Sequence, residues 1–202
     1  MKLIVIGGSS GAQLPLKTIL KNLPDDLDAA VLVLRHVRAG GPSLFAKALR
    51  SGSVLPVDEI TQHVSIRPGQ VYTVPPGMNV TFQSEHDGGP VFHLEPCSAE
   101  QFGRPNIDIA LTSAASMFGS DCIGVILSGY LDDGAEGAIE VGEHDGVIIV
   151  QAPSDAKQAS MPLNVIRRDS PEYILPDIHI AGVLRDLARG LVPGRDPLPA
   201  PS

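Results

Sequence analysis

The chain has 202 residues, 43% of them hydrophobic and 19% charged, with a formal net charge of -8 at pH 7. That size suits one domain with a full core, and the acidic balance argues against nucleic acid or an anionic membrane surface as partner, since both call for basic faces. No apolar run approaches the roughly 20 residues needed to span a bilayer, no signal peptide precedes the first strand, and Cys97 and Cys122 are too few for a disulfide framework and lack metal-ligand spacing; buried thiols in a cytoplasmic protein are expected.

Lys2-Leu3-Ile4-Val5-Ile6 is a continuous apolar, β-branched run, followed by Gly7-Gly8-Ser9-Ser10-Gly11-Ala12 and then by Leu14, Leu16, Ile19 and Leu20 near helical spacing. The pattern predicts strand, tight turn, helix. Gly7 to Gly11 also spell G-x-S-x-G, in which a serine on a sharp strand-to-helix turn holds its hydroxyl above the sheet edge. The helix behind it offers unpaired N–H groups to developing negative charge. Ser9 is the candidate nucleophile. A turn of this composition also serves simply to turn the chain or to bind phosphate. The dinucleotide fingerprint G-x-G-x-x-G is met from Gly7 only with Ser9 in place of its second glycine and Ala12 in place of its third.

Pro24 stops the first helix, and Ala29 to Leu34 is a second apolar run ending at Arg35-His36. The spacing is that of a β-α-β unit with a parallel partner strand. Ligands of such sheets sit beyond the carboxyl ends of the strands, where both Ser9 and His36 fall. Pro42 to Arg50 reads as a helix. From Ser53 to Leu94 short β-rich pieces (Val64 to Ile66, Val71 to Val74, Asn79 to Phe82, Val91 to Leu94) alternate with Pro-Gly and Asp-Gly-Gly turns, which predicts hairpins against or beside the main sheet. A helix is expected over Ile107 to about Phe118.

Cys122 to Leu127 is the next buried strand; it feeds Ser128-Gly129-Tyr130-Leu131-Asp132-Asp133-Gly134 into a helix from Glu136 to Val141. Asp132 and Asp133 therefore reach the same carboxyl edge, although an Asp at that junction is also an ordinary helix N-cap. Gly146 to Val150 is another strand, Met161 to Ile166 a short helix, and Ile178 to Leu191 a terminal helix. Residues 1–192 form one α/β domain on this reading, doubly wound and mostly parallel, and the proline-rich stretch from Pro193 to Ser202 is a disordered tail. His63, His86, His93, His144 and His179 have no partner at metal spacing and read as structural or solvated.

Ser9, His36 and an Asp at 132–133 supply a nucleophile, a base and an orienting acid. A serine hydroxyl is a poor nucleophile until an imidazole takes its proton, and the imidazole needs a carboxylate on its other nitrogen to fix the tautomer.

The blocks Val5 to Gly11, Arg35-His36, Leu44 to Leu49, Pro68 to Tyr72, Pro75-Pro76-Gly77, Arg104 to Asp108, Gly124 to Gly129, Asp132 to Gly137 and Met161-Pro162, in that order, resemble the catalytic domain of the chemotaxis protein-glutamate methylesterases (CheB type). The resemblance covers Lys2 to Leu191. It implies a doubly wound sheet with an antiparallel hairpin, and hydrolysis of glutamyl methyl esters on the cytoplasmic helices of chemoreceptors with release of methanol. Deamidation of receptor glutamines accompanies this in many members. No metal or cofactor is required. Position by position, it implies Ser9 as nucleophile, His36 as general base and Asp133 as orienting acid, with the backbone amides of Ser10 and Tyr130 as oxyanion donors. Asp132 stands where the family often has Asn, Ala12 where it usually has glycine, and Val37-Arg38 where it tends to carry Met-Pro. Tyr130 is bulkier than the position usually holds. Arg104 reads as a grip on an acidic receptor segment or as a surface ion pair. Typical members carry an N-terminal phosphoacceptor domain, whereas this sequence opens at the first strand, as expected of a free-standing member without that regulation or of a fragment. A non-catalytic partner-binding relative and a nucleotide-binding domain are the alternatives.

Overall fold

The structure, a computed structural model, covers residues 1–36, 44–62, 64–85, 89–98 and 105–194. In chain order the elements are β1 (Lys2–Gly8), α1 (Gln13–Asn22), β2 (Ala29–Arg35), α2 (Phe45–Arg50), β3 (Val57–Glu59), β4 (Val71–Thr73), β5 (Met78–Ser84), β6 (Pro90–Pro96), α3 (Ile107–Phe118), β7 (Cys122–Ile126), α4 (Ala135–Glu143), β8 (Val147–Gln151), α5 (Ser160–Arg168), β9 (Tyr173–Leu175) and α6 (Asp177–Ala188). One sheet runs β3-β4-β2-β1-β7-β8-β9 with every pairing parallel, and β5 and β6 form a separate antiparallel pair.

The continuous apolar runs become the central strands because a parallel sheet is covered on both faces. Along β1, alternate residues serve opposite sides. Ile4 and Ile6 join Val31, Val33, Ile123 and Val125 beneath α1 and α6. Leu3 and Val5 join Leu32 and Leu34 beneath α3 and α4. The register is direct, with Ile4 beside Val31 of β2 on one side and Ile123 of β7 on the other. This places the ends of β1, β2 and β7 next to one another at one edge.

The hairpin β5–β6 packs on α3: Phe82 meets Phe118 edge-on at 5.5 Å, and the Phe82 N–H donates to Ser113 Oγ at 2.9 Å. Two expectations for this region are corrected. Val71 to Thr73 is not a hairpin piece; it pairs in parallel with Val31 to Val33 inside the main sheet, because all three residues are buried. Val64 to Ile66 forms no strand, but it lies antiparallel to β6 through a bridge of Ser65 to Val91, with the Val64 carbonyl accepting from the Phe92 N–H at 3.2 Å and the Ile66 N–H donating to the Pro90 carbonyl at 3.1 Å. Strands β3 and β9 have three residues each, too few for periodicity to mark them in sequence. Cys122 is buried, which pushes its thiol up to about 12, whereas Cys97 is only half-buried and donates its S–H to Asn79 Oδ1. Pro193, the expected start of the tail, accepts a hydrogen bond from the Tyr173 hydroxyl at 2.9 Å, and residues 195–202 lie outside the described chain. Among the described residues no helix is long and apolar enough to cross a membrane.

Candidate active site

β1 delivers Ser9 to the carboxyl edge one residue past Gly8. The turn is closed by the Ser9 carbonyl accepting from the Ala12 N–H at 3.2 Å, and it passes through Gly11 at φ 86°. A side chain there would be strained by that angle and would meet Ser128 Oγ at 2.5 Å, so glycine is required. Ala12 has ordinary helical angles, φ -73° and ψ -13°, and its methyl group is fully buried and occupies the space facing Gly8.

His36 follows β2 and is tied to the elbow by its own N–H, which donates to the Gly8 carbonyl at 3.3 Å. Its Nε2 lies 2.6 Å from Asp133 Oδ2. A carboxylate can only accept, so Nε2 carries the hydrogen and Nδ1 is the nitrogen left to take a proton. The two side chains are 17% and 10% exposed, enough burial to make the contact strong.

Asp133 is held from behind. Its Oδ1 accepts from the N–H groups of Ile107 and Asp108 at 3.0 and 3.1 Å, and its Oδ2 also lies 3.0 Å from the Ile107 N–H. These are unpaired donors of the first turn of α3, so the carboxylate sits on the positive end of that helix. Capping, the competing expectation for this residue, therefore holds too, but for α3 and not for α4, the helix that follows it in sequence. Asp108 returns the arrangement. From the first turn of α3 its Oδ1 accepts from Gly134 and Gly137 at the start of α4, at 2.9 and 2.8 Å. Gly134 itself has φ 95°, and a side chain on it would strike Ile126 at 2.7 Å.

Burial above all, with the Asp133 charge alongside, pushes the Asp108 carboxyl up to about 6 against the lowering pull of the Gly137 and Gly134 N–H groups. A carboxyl raised in the folded state lends stability that is fully present below its unfolded value near 4 and is lost as pH rises through about 6. Asp108→Asn keeps the accepting Oδ1 and removes the charge. The variant should melt about 2–4 °C above the parent at pH 7.5, the shift that roughly 1 kcal/mol produces in a chain of this size after allowance for solvent screening. The gap should close near pH 4. Melting curves at the two pH values check this.

Ser9, His36, Asn106, Asp108, Tyr130, Leu131, Asp132 and Asp133 line one cavity of about 240 Å³. The structure thus brings together all three proposed side chains. Ser9 Oγ has no hydrogen-bond partner among the described residues, including His36. Asp132 turns outward to Arg168, 3.0 Å away, which also holds Glu136. Tyr130 lines the cavity while remaining 55% exposed. Its backbone N–H and that of Ser10 have no acceptor among the described residues. Val37, Arg38, His63, His86 and Arg104 lie outside the described residues. His144 contacts the Glu140 carbonyl through Nδ1 at 2.8 Å and His93 Nε2 contacts Glu95 at 3.3 Å, neither near this cavity's lining. Asn106, Asp108 and Leu131 are the cavity residues that sequence reading leaves unnamed as site residues. An Asp just after an Asn N-cap reads as dipole compensation, and nothing local discloses that it faces a second carboxylate.

The model of the CheB methylesterase family matches residues 4–184. A protein-glutamate methylesterase/protein-glutamine glutaminase of Thermotoga maritima is 32% identical over 186 residues, 92% of this chain and 54% of that relative. One of Methanosarcina barkeri is 33% identical over 86% of this chain and 48% of its own length. A putative protein-glutamate methylesterase/protein-glutamine glutaminase of Leptospira interrogans is 30% identical over 85% of this chain and 87% of its own. The chain therefore spans about half the length of the first two and most of the third. The crystal structure of the Thermotoga maritima CheB methylesterase catalytic domain superposes with a TM-score of 0.87 at 32% identity, covering 92% of this chain and 98% of that one. With the parallel sheet, the separate hairpin and the cavity at its carboxyl edge, these matches mean that the chain belongs to the CheB methylesterase family.

Proposed function

We propose that the chain is a serine carboxylester hydrolase that removes methyl groups from glutamyl methyl esters of chemoreceptors in the cytoplasm, and that it also deamidates receptor glutamines. Residues 1–192 act as its catalytic domain. The observation that carries the reading is the 2.6 Å contact of His36 Nε2 with a helix-anchored Asp133 in the cavity that also holds Ser9.

In the proposed reaction the substrate ester enters this cavity and Ser9 Oγ attacks its carbonyl carbon while His36 Nδ1 takes the hydroxyl proton. The oxyanion that forms is met by the backbone N–H groups of Ser10 and Tyr130, which no protein acceptor among the described residues occupies. His36 then gives its proton to the methoxide, which leaves as methanol, and the glutamyl group stays on Ser9. Water, deprotonated by His36, attacks the acyl carbon and releases the glutamate side chain with Ser9 restored. With a glutamine the leaving group is ammonia and the steps are the same. Nucleophile–base contacts are commonly long before substrate is bound, in keeping with the unpaired Ser9 hydroxyl.

The deciding measurement is methanol release from methylated chemoreceptor membranes. Release in proportion to added protein is expected, with ammonia from receptors that carry the glutamines. Folded protein that frees no methanol would overturn the receptor reading and favour a binding module on the same fold.

A further inference from the structure

Ser128 is the only serine among the buried polar and charged residues of the described chain, and every one of its polar groups is used. Its N–H donates to Gln151 Oε1 at 2.9 Å; Gln151 is equally buried and is anchored in turn through Nε2 on Asp155 at 2.8 Å. The Ser128 carbonyl accepts from the Ser9 N–H at 2.9 Å. Its hydroxyl donates to the Ser10 carbonyl at 2.8 Å and accepts from the Gln158 N–H at 2.9 Å. The elbow, the end of β8 and the loop at Gln158 meet on this one side chain and its peptide. A buried hydroxyl with no bonds to make would cost free energy, so the complete pairing explains how it is tolerated, not why these partners were joined.

The partners supply the reason. On the elbow, Ser128 grips the peptide before Ser9 and the peptide after Ser10, and the peptide between them carries the free Ser10 N–H. On the opposite loop, the Gly129 N–H is spent on the Gln158 carbonyl at 3.0 Å and the Gly129 carbonyl accepts from Met161 at 3.0 Å. That last bond orients the peptide bearing the free Tyr130 N–H. The two backbones are in close contact, since a Cβ built on Gly129 would lie 3.1 Å from Ser9 Cβ. Gln158, held by Ser128 Oγ at its N–H and by Gly129 at its carbonyl, closes the ring. The Ser10 and Tyr130 N–H groups, both uncommitted among the described residues, thus stand on either side of peptides tied down by Ser128, Gln158, Met161 and Ala12.

We propose that Ser128 is the positioning residue of the oxyanion hole: its hydroxyl sets the separation and aim of the Ser10 and Tyr130 N–H groups by clamping the elbow to the β7–α4 loop. The assignment rests on the esterase reading above. Ser128 touches no reacting atom. Oxyanion donors matter in the transition state and scarcely in the ground state, and a displacement of about 1 Å can cost about 100-fold.

The test compares the parent with Ser128→Ala and Ser128→Thr, using p-nitrophenyl acetate as a simple ester and phenylboronic acid as a tetrahedral adduct former on serine. Ser128→Ala should lower kcat by about 10- to 100-fold and weaken phenylboronic acid by a similar factor. KM should stay within about twofold, and the midpoint of the acid limb of the pH–kcat profile should not move, because His36 and Asp133 are untouched. Ser128→Thr, which keeps the hydroxyl, should recover most of both losses. A kcat within twofold of the parent in Ser128→Ala overturns the assignment, as does a loss confined to KM or a displaced pH profile. Those results leave the esterase reading standing provided that the parent hydrolyses the ester. A parent that neither hydrolyses the ester nor binds phenylboronic acid overturns the esterase reading and the Ser128 assignment together.

Discussion

Ser9→Ala is expected to lower methyl-ester turnover by at least about 10⁴-fold while leaving the fold in place. The size follows from the chemistry: with the oxygen gone no acyl-enzyme can form, and what survives is the background from binding and oxyanion stabilisation alone. The preserved fold follows from where the structural bonds lie. The elbow is held by the Ser9 backbone, whose N–H meets the Ser128 carbonyl and whose carbonyl meets the Ala12 N–H, whereas Oγ bonds to nothing among the described residues. Replacing a half-buried hydroxyl of that kind changes stability by roughly 0.5 kcal/mol or less. Methanol release from methylated receptor membranes and a melting curve on the same preparation are the two measurements. Turnover that persists in the variant would assign the nucleophile elsewhere.

The second large effect belongs to Asp133, and it should reach both activity and stability. Asp133→Asn places an NH₂ group where a carboxylate oxygen now faces His36 Nε2 and the Ile107 N–H. A donor cannot meet a donor, so either the amide flips, giving up the bonds that Oδ1 accepts from α3, or the imidazole changes tautomer. In the second case Nδ1 carries the hydrogen and can no longer act as base. A fall in kcat of about 10³- to 10⁴-fold is expected, the scale known for an orienting acid turned to its amide. Stability should fall by about 1 kcal/mol, the usual worth of a capping interaction, because the Ile107 and Asp108 N–H groups lose part of their anionic cap. A urea titration measures the second quantity and steady-state methanol release the first. Asp132→Asn is the internal control. Its carboxylate pairs with Arg168 at an exposed site, so the same chemical change there should alter activity little.

The contrast between the two aspartates shows what a linear pattern conveys. Strand, glycine turn and helix around Ser9 are local features: β-branched runs, a residue that tolerates φ 86°, and apolar residues near helical spacing sit within a few positions of one another. The carboxyl-edge placement of Ser9, His36 and Asp133 is nearly as legible, since parallel β-α-β units send every strand end to one side. The main sheet, its two covered faces and the family likeness were therefore available before any coordinates. The three-residue strands β3 and β9 were not, because three residues carry no period and take their conformation from the strand alongside. Val71 to Thr73 misled for a related reason: its β character is local, but pairing with β2 rather than within a hairpin is decided across 40 residues of chain.

What belongs to the sequence alone is the set of chemical groups and the edge on which they gather. Backbone sterics, side-chain period and the handedness of crossovers are enough for that. Tertiary structure alone decided which nitrogen of His36 faces Asp133, that Asp133 caps α3 while Asp108 caps α4, and that Ser128 and Gln151 lock the elbow to its neighbouring loops. These are hydrogen bonds between groups 23 to 118 positions apart, the helix caps by Asp133 and Asp108 spanning 25 to 29. Their geometry depends on packed helices and strands settling to within tenths of an ångström, and no local propensity encodes that distance.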